Sequence, residues 1–233
     1  LDKQNKFYEY LEWFEKNKDS IDMEELDKLQ IKVAVACFIE YNIPIKPLYS
    51  ELIYKLLSTR QLEDKKGQLI KLHSNIKRDE GDYLYNTVRQ NKFKVCVEVG
   101  MAYGMSALFI CRALKYNDQE SMKDDKHILI SIDPNQSTQW QGLGVENLKR
   151  DKLIQHHKLL ETTSYNALPS LLNEYEGKVD FIFIDGWHTF DYTLVDFFYS
   201  DLLLKVGGYI VLDDALHAGP AKVVRYLVEN YTH

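Results

Sequence analysis

The amino-acid sequence predicts an α/β fold with a parallel sheet, because short apolar runs alternate with segments of helical periodicity. Five runs of β-branched and aromatic residues have the length of strands that are buried on both faces. These runs are residues 93–99, 127–132, 156–160, 179–184 and 209–212. Because crossovers between parallel strands are right-handed, we expect a doubly wound sheet with the strand order 3-2-1-4-5.

Residues 1–75 are predicted to form a helical N-terminal extension, and residues 76–233 the sheet domain. Apolar side chains recur at helical spacing in the extension, first from Phe7 to Phe14 and again from Leu48 to Leu57. Packing in the core or at a face between two copies of the chain is the favoured reading of this apolar stripe. A lid over a substrate is the alternative.

Helices are also predicted within the sheet domain, where they connect the strands. Their predicted spans are residues 83–90, 145–151, 190–204 and 220–229. The pair Gly207 and Gly208 is expected to end the third of these helices, since glycine commonly terminates a helix.

Composition excludes some classes of partner. The chain has 29 basic and 35 acidic residues, a net charge of −6, and no stripe of clustered Lys and Arg, so we expect no nucleic-acid partner. No apolar run has the length of a membrane span and the start does not resemble a signal peptide, which predicts a cytoplasmic protein without a membrane partner. Cys37, Cys96 and Cys111 lack metal-site spacing and are expected to be buried thiols.

Carboxylates follow the fourth and fifth predicted strands. Asp185 comes after residues 179–184, Asp213 and Asp214 come after residues 209–212, and His188 lies three residues beyond Asp185. The carboxyl ends of parallel strands meet at one edge, so these side chains should converge there. Three converging carboxylates repel one another, and Mg²⁺ would keep them ionised. The alternative is that Asp213 and Asp214 are a helix cap and its solvated neighbour.

A glycine-containing turn, EVGMAYGMS, follows the first strand of the sheet. Gly100 would let the backbone approach a ligand, and Gly104 would let the next helix start close to the strand. Asp133, which ends the second strand, is placed to accept hydrogen bonds from a ribose diol. The alternatives are an ordinary strand-to-helix turn and a capping role for Asp133.

Both regions resemble the class I S-adenosylmethionine (SAM)-dependent O-methyltransferases of the metal-dependent type, catechol-like and macrocin-like. The matching segments are IDGWHTFDY, GGYIVLDD and the E-x-G-x-x-x-G-x-S turn. The resemblance implies a Rossmann-like fold in which Asp185, Asp213 and Asp214 hold Mg²⁺. His188 stands where the family often has Lys, and the resemblance implies that it accepts the substrate's proton.

The same resemblance implies a cofactor site that binds SAM. Glu98, Gly100 and Ser106 would line its methionine part, and Thr163 and Ser164 would approach the adenine. The implied cofactor-binding residues are Glu98, Gly100, Gly104, Ser106, Asp133, Thr163, Ser164 and Asp185.

The predicted function is therefore methyl transfer from SAM to a hydroxyl of a small molecule, catechol-like or a sugar diol, with Mg²⁺. A metal-independent methyltransferase and a catalytically silent methyltransferase-like interaction domain are the alternatives. The catalytically silent domain is considered because complete sheets of this family add a C-terminal β-hairpin, and we expect this hairpin to be absent. A homodimer through the N-terminal helices is also expected.

Overall fold

The computed structural model of the protein describes residues 49–121 and 125–231. The helices predicted within residues 1–48 lie outside this range, as does Cys37. The strands are β1 (Gln61–Glu63), β2 (Leu69–Lys71), β3 (Val95–Val99), β4 (Ile128–Ile132), β5 (His157–Leu160), β6 (Val179–Ile184) and β7 (Leu204–Leu212). The helices are α1 (Glu51–Thr59), α2 (Arg78–Gln90), α3 (Met105–Glu120), α4 (Leu143–Arg150), α5 (Ser164–Tyr175), α6 (Phe190–Leu203) and α7 (Ala218–Asn230).

Five of the strands form one parallel sheet in the order β5-β4-β3-β6-β7. Counted within the sheet alone, this is the order 3-2-1-4-5, so the predicted fold class and topology are confirmed. Val99 of β3 is paired with Ile132 of β4 and with Ile184 of β6, and Ile184 is paired with Leu212 of β7. This register brings the carboxyl ends of four strands level at one edge.

The sheet separates two apolar layers. On one face α3 is buried so completely that every side chain from Ala107 to Cys111 is inaccessible to solvent, and it packs beside α2. On the other face Leu168 of α5 and Phe197 of α6 cover the apolar side chain of Ile182. Helices on both faces explain why the central strands are continuously apolar rather than alternating.

The thiols of Cys96 and Cys111 are free and buried, as predicted for these two cysteines. Burial raises the pKa of both thiols well above the ordinary value. Within the described residues, no helix combines the length and the apolar character needed to cross a bilayer.

The prediction that residues 1–75 are helical is wrong for residues 60–75, none of which is helical. There β1 and β2 form an antiparallel hairpin, with Gln61 paired to Lys71. Asp64 stabilises the connecting turn, since its Oδ1 accepts from the backbone N–H groups of Lys66 and Gln68 at 2.8 Å each. The side chains of Ile53 and Leu62 belong to the core beneath α3.

The prediction that Gly207 and Gly208 end a helix is also wrong. Helix α6 already ends at Leu203, and both glycines lie inside β7. The pairing of β7 with β6 shifts register at this point, and Gly207 adopts a left-handed φ of +81°. A β-bulge of this kind favours glycine, so the pair marks an irregularity within the strand rather than a helix terminus.

Candidate functional site

The turns that follow β3, β6 and β7 meet at one edge of the sheet. The backbone N–H of Asp185 donates to the Val99 carbonyl at 2.8 Å, and the N–H of Asp213 donates to the Ile184 carbonyl at 2.9 Å. The ladder therefore continues one residue beyond each strand. As predicted from the strand ends, the glycine turn and the aspartates become neighbours.

Gly100 is the point of closest approach between the glycine turn and the aspartates. Its φ is +90°, and a Cβ atom built there would lie 1.9 Å from the carbonyl oxygen of Asp185. No L side chain fits at this position. Gly104 has a φ of +77°, and a Cβ there would lie 2.9 Å from the Gly144 carbonyl oxygen. Both glycines thus permit contacts between backbone segments.

Glu98 lies beneath the turn and is inaccessible to solvent. Its carboxylate accepts from Ser106 Oγ at 2.8 Å and from Ser131 Oγ at 2.6 Å, and Ser131 Oγ also lies 2.7 Å from His157 Nε2. Burial raises the pKa of Glu98 to about 7, although the serine hydroxyls oppose the shift. Glu98 and Ser106 therefore form a buried network under the turn, and their contact with a cofactor stays a prediction.

Asp133 joins the turn after β3 to the loop after β4. Its Oδ2 accepts from the backbone N–H groups of Met101 at 3.2 Å and Ala102 at 2.8 Å, and from Gln136 Nε2 at 3.2 Å. Its Oδ1 accepts from the N–H of Asn135 at 2.8 Å. The residue is 3% exposed. Asp133 fixes the backbone that a cofactor would contact. Its hydrogen bonding to a ribose stays a prediction.

Thr163 and Ser164 stand at the start of α5. Thr163 Oγ1 is buried without a hydrogen-bond partner. Asp196 of α6 is 1% exposed, and burial raises its pKa to about 6, while the nearby Ser164 hydroxyl opposes the shift. Sequence analysis missed Asp196 because a single carboxylate on an apolar helix carries no motif. Its only signal is its place among Thr193, Phe197 and Ser200 on the buried face.

Trp140, in the loop after β4, packs inside the protein. It is 8% exposed, and its ring makes an edge contact with Tyr103 at 5.1 Å and a tilted contact with His73 at 5.4 Å.

The acidic cluster is centred on His188. The Nε2 atom of His188 lies 3.3 Å from Asp185 Oδ1 and 3.2 Å from Asp214 Oδ2. Asp213 is close enough to Asp185 for its charge to raise the pKa of the Asp185 carboxyl. Sequence analysis therefore named four residues that the fold brings together.

These carboxylates are electrostatically strained. Burial raises the pKa of Asp185, and the charge of Asp213 raises it further. Burial raises the pKa of Asp213, and repulsion from Asp214 raises it further. The hydrogen bond to Asp185 raises the pKa of His188. A cation held among these groups is favourable, and His188 becomes such a cation when it takes up a proton.

Two further residues join the cluster. His217 Nδ1 lies 3.4 Å from Asp214 Oδ2. Glu80, in the first turn of α2, is close enough for the charge of Asp213 to contribute to a raised pKa, which is due mainly to burial. Neither residue was among the predicted site residues. For His217, the sequence offered one signal, which is its position three residues after Asp214.

A family model described as a methyltransferase domain matches residues 97–215, just over half of the chain. No protein of curated function matches the sequence. The match spans β3 to the residue after Asp214, so it contains the glycine turn and the acidic cluster.

Solved structures with the same fold include three methyltransferases. The O-methyltransferase from Bacillus cereus in complex with S-adenosylhomocysteine (SAH) is 14% identical, with a TM-score of 0.57 over 85% of this chain and 83% of that one. SAH-bound PaMTH1 from Podospora anserina is 20% identical, with a TM-score of 0.55 over 83% and 70%. TomG from Streptomyces achromogenes, an O-methyltransferase of tomaymycin synthesis bound to SAM, is 17% identical, with a TM-score of 0.54 over 87% and 76%.

The structural likenesses show a shared fold, and the family match covers the elements that form the site. Together they confirm the predicted enzyme class. The chain belongs to the methyltransferase-domain family and has the Rossmann-like fold of the SAM-dependent methyltransferases.

Proposed function

We propose that the protein transfers a methyl group from SAM to a hydroxyl of a small molecule. The observation that carries this proposal is the contact between the glycine turn and the acidic cluster. A Cβ at Gly100 would overlap the Asp185 carbonyl, and His188 lies only three residues further along the same loop. A methyl donor bound over the turn would therefore have an acidic cluster and an imidazole beside its reactive group.

The turn offers a suitable surface for the cofactor. The backbone N–H groups at the start of α3 suit a carboxylate, and Asp133 holds Met101 and Ala102 in place through their N–H groups. Related folds hold SAM or SAH in their solved structures, which supports SAM as the cofactor here. Thr163 Oγ1 is a buried polar atom that a nitrogen of the adenine could satisfy.

His188 is the proposed proton acceptor. Its Nε2 faces two carboxylate oxygens at 3.2–3.3 Å, which orient the ring and stabilise it after it gains a proton. The side chain is 37% exposed, so a substrate can reach it. In the reaction the substrate hydroxyl gives its proton to His188, and its oxygen forms a bond to the methyl carbon. The methyl–sulfur bond breaks with its electron pair remaining on sulfur, which leaves SAH.

The proposal includes dependence of the reaction on Mg²⁺. Asp185 and Asp213 lie against each other with raised pKa values, and Asp214 adds a third carboxylate, so the donor set is rich in oxygen and short of positive charge. These three residues would hold Mg²⁺, which would lower the pKa of a substrate hydroxyl. A metal-independent enzyme remains the alternative, in which His188 becomes the cation between Asp185 and Asp214 once it has taken the substrate's proton.

The acceptor is proposed to be a small vicinal diol. Exposed aromatic rings lie on the loop that carries His188 and at the start of the helix that follows it. Trp187 is 67% exposed and Phe190 is 42% exposed. The rings of Tyr165 on α5 and Tyr192 on α6 are also exposed and lie 6.0 Å apart. Such rings stack on planar substrates, which favours a catechol over a sugar diol. A cytoplasmic location and a homodimer through the N-terminal helices stay predictions.

The test is a methyl-transfer assay that measures SAH formation from SAM with a panel of catechols and sugar diols. Each acceptor is run with Mg²⁺, with EDTA, and without enzyme. The proposal predicts acceptor-dependent SAH formation that is greatest with a catechol and Mg²⁺. SAH formation that survives thorough chelation would favour the metal-independent form. Tight SAH binding without turnover on any acceptor would favour the catalytically silent domain.

A further inference from the structure

Two imidazoles face the same carboxylate oxygen beside the proposed active site. His188 Nε2 lies 3.2 Å and His217 Nδ1 lies 3.4 Å from Asp214 Oδ2. The two rings are 5.7 Å apart and almost perpendicular, at 88°. Among the described residues, these three form the group whose metal-binding atoms all lie within 4.8 Å of one another. The three aspartates expected to hold Mg²⁺ do not form such a group.

The spacing matches a transition-metal site. Ligand atoms about 2.0–2.1 Å from a tetrahedral Zn²⁺ lie roughly 3.3 Å from one another, close to both distances to Asp214 Oδ2. Two neutral imidazoles and a carboxylate are donors that suit Zn²⁺, Co²⁺ and Cu²⁺, whereas Mg²⁺ takes oxygen ligands almost exclusively. The chemistry of this set therefore differs from that of the three aspartates.

The backbone holds the three ligands in place before any ion binds. The N–H of His217 donates to the carbonyl of Asp214 at 2.8 Å, which closes a turn between them. A Cβ at Gly219 would lie 2.6 Å from the His188 carbonyl oxygen, so the start of α7 is packed against the His188 loop. The three side chains are 26–45% exposed, which leaves a route for an ion from solvent.

We propose that His188, Asp214 and His217 bind a transition-metal dication of the Zn²⁺ class. Bound Zn²⁺ inhibits methyl transfer, because coordination through Nε2 makes the His188 imidazole too weak a base to take the substrate's proton, and because Zn²⁺ shares Asp214 with the Mg²⁺ set. The inhibitory part rests on the proposed function. The metal site itself rests only on the geometry of the three ligands.

Metal binding is measured first, without any assay of activity. Co²⁺ is titrated into the metal-free full chain, and the visible d–d absorption reports imidazole ligation, with Zn²⁺ then added to displace it. We expect one Co²⁺ per chain and at least a ~10-fold weaker affinity in His217→Ala. His73→Ala, which removes an exposed imidazole elsewhere, is the matched control and should bind Co²⁺ normally. Equal Co²⁺ affinity in His217→Ala and the wild type would overturn the site.

Inhibition is measured with Zn²⁺ at saturating Mg²⁺. Because His217 contacts Asp214, each protein is compared with its own rate without Zn²⁺. We expect the Zn²⁺ concentration that halves this rate to be at least ~10-fold higher in His217→Ala than in the wild type. Equal inhibition of both proteins would overturn the inhibitory role. A wild type that binds one Co²⁺ through His217 but never forms SAH would support the metal site and contradict the proposed function.

Discussion

Two groups of carboxylates lie at the same edge of the sheet, and their surroundings differ. Glu98 accepts from two serine hydroxyls, and Asp133 accepts from three backbone N–H groups and one amide. Asp185 and Asp213 instead repel neighbouring carboxylates, since the charge of Asp213 raises the pKa of Asp185 and that of Asp214 raises the pKa of Asp213. A carboxylate whose lone pairs are filled by fixed protein donors holds the backbone, whereas carboxylates that repel one another are available for an external cation or proton.

The comparison separates structural from functional acids within one site. Removing an acid of the first group should cost stability, because its donors would be left buried and unpaired. Removing one of the second group should cost activity and leave stability equal or higher, because repulsion is relieved. Substitutions in the two groups can therefore be told apart by measuring both quantities.

The largest effect is expected for His188→Ala. Loss of a positioned proton acceptor typically lowers turnover about 10²–10⁴-fold, and the affinity for SAH should stay unchanged because the glycine turn is intact. Turnover is measured by SAH formation and affinity by calorimetry. His73→Ala serves as the control. Unchanged turnover in His188→Ala would end its assignment as the base.

Gly100→Ala should weaken both the fold and SAH binding. The added Cβ would overlap the Asp185 carbonyl at 1.9 Å, and relieving that clash in a left-handed backbone should cost roughly 2–4 kcal/mol of unfolding free energy. Gly67→Ala is a matched control, since its φ of +79° is similar and nothing lies within 4 Å of its Cβ. Only the roughly 1–2 kcal/mol of left-handed strain is expected there. Equal losses would show that the contact at Gly100 is not close.

Glu98 should make the protein less stable as the pH rises. Burial raises the pKa of Glu98 from its ordinary value of 4.5 to about 7 in the folded protein, so its contribution is full below about pH 4.5 and is lost as the pH rises through 7. The difference amounts to about 3 kcal/mol of unfolding free energy. Urea unfolding at pH 5 and pH 8 should show a larger decrease for the wild type than for Glu98→Gln. Equal decreases would remove Glu98 as the cause.

The smallest effect, and one of opposite sign, is expected for Asp213→Asn. Relief of the repulsion from Asp185 and Asp214 should raise stability by a few tenths to about 1 kcal/mol, while Mg²⁺ binding weakens. Asp133→Asn is the variant compared with it. This substitution weakens four hydrogen bonds and should lower the unfolding free energy by about 1–3 kcal/mol. Thermal melts with and without Mg²⁺ measure both. A clear loss of stability in Asp213→Asn would show that its carboxylate is structural.

The sequence predicted the sheet and the acidic cluster well because both depend on local pattern. Buried strands read as continuous apolar runs, and residues directly after them must meet at one edge, which brought Asp185, Asp213 and His188 together. The β1–β2 hairpin was missed because its strands are three residues long, too short for an alternating pattern. Gly207 and Gly208 were misread because a bulge and a helix end both favour glycine.

Long-range contacts could not be predicted from local pattern. The bonds of Asp133 to Met101 and Ala102 join residues more than 30 positions apart, and nothing in the sequence distinguishes that role from ribose binding. The approach of Glu80 to Asp213 likewise depends on how α2 packs. His217 was not predicted as a site residue, because its neighbours Asp214 and His188 come together only when the loops after β6 and β7 pack against each other.

Binding of SAH tests the central claim most directly, because every proposed step needs a cofactor beside the Gly100 turn. Calorimetric titration of SAH is run on the wild type, His188→Ala and Gly100→Ala, each with Mg²⁺ and with EDTA. One SAH per chain is expected for the wild type and His188→Ala under both conditions, and binding should be lost in Gly100→Ala. No binding to the wild type, or equal binding to Gly100→Ala, would contradict a cofactor site at this turn.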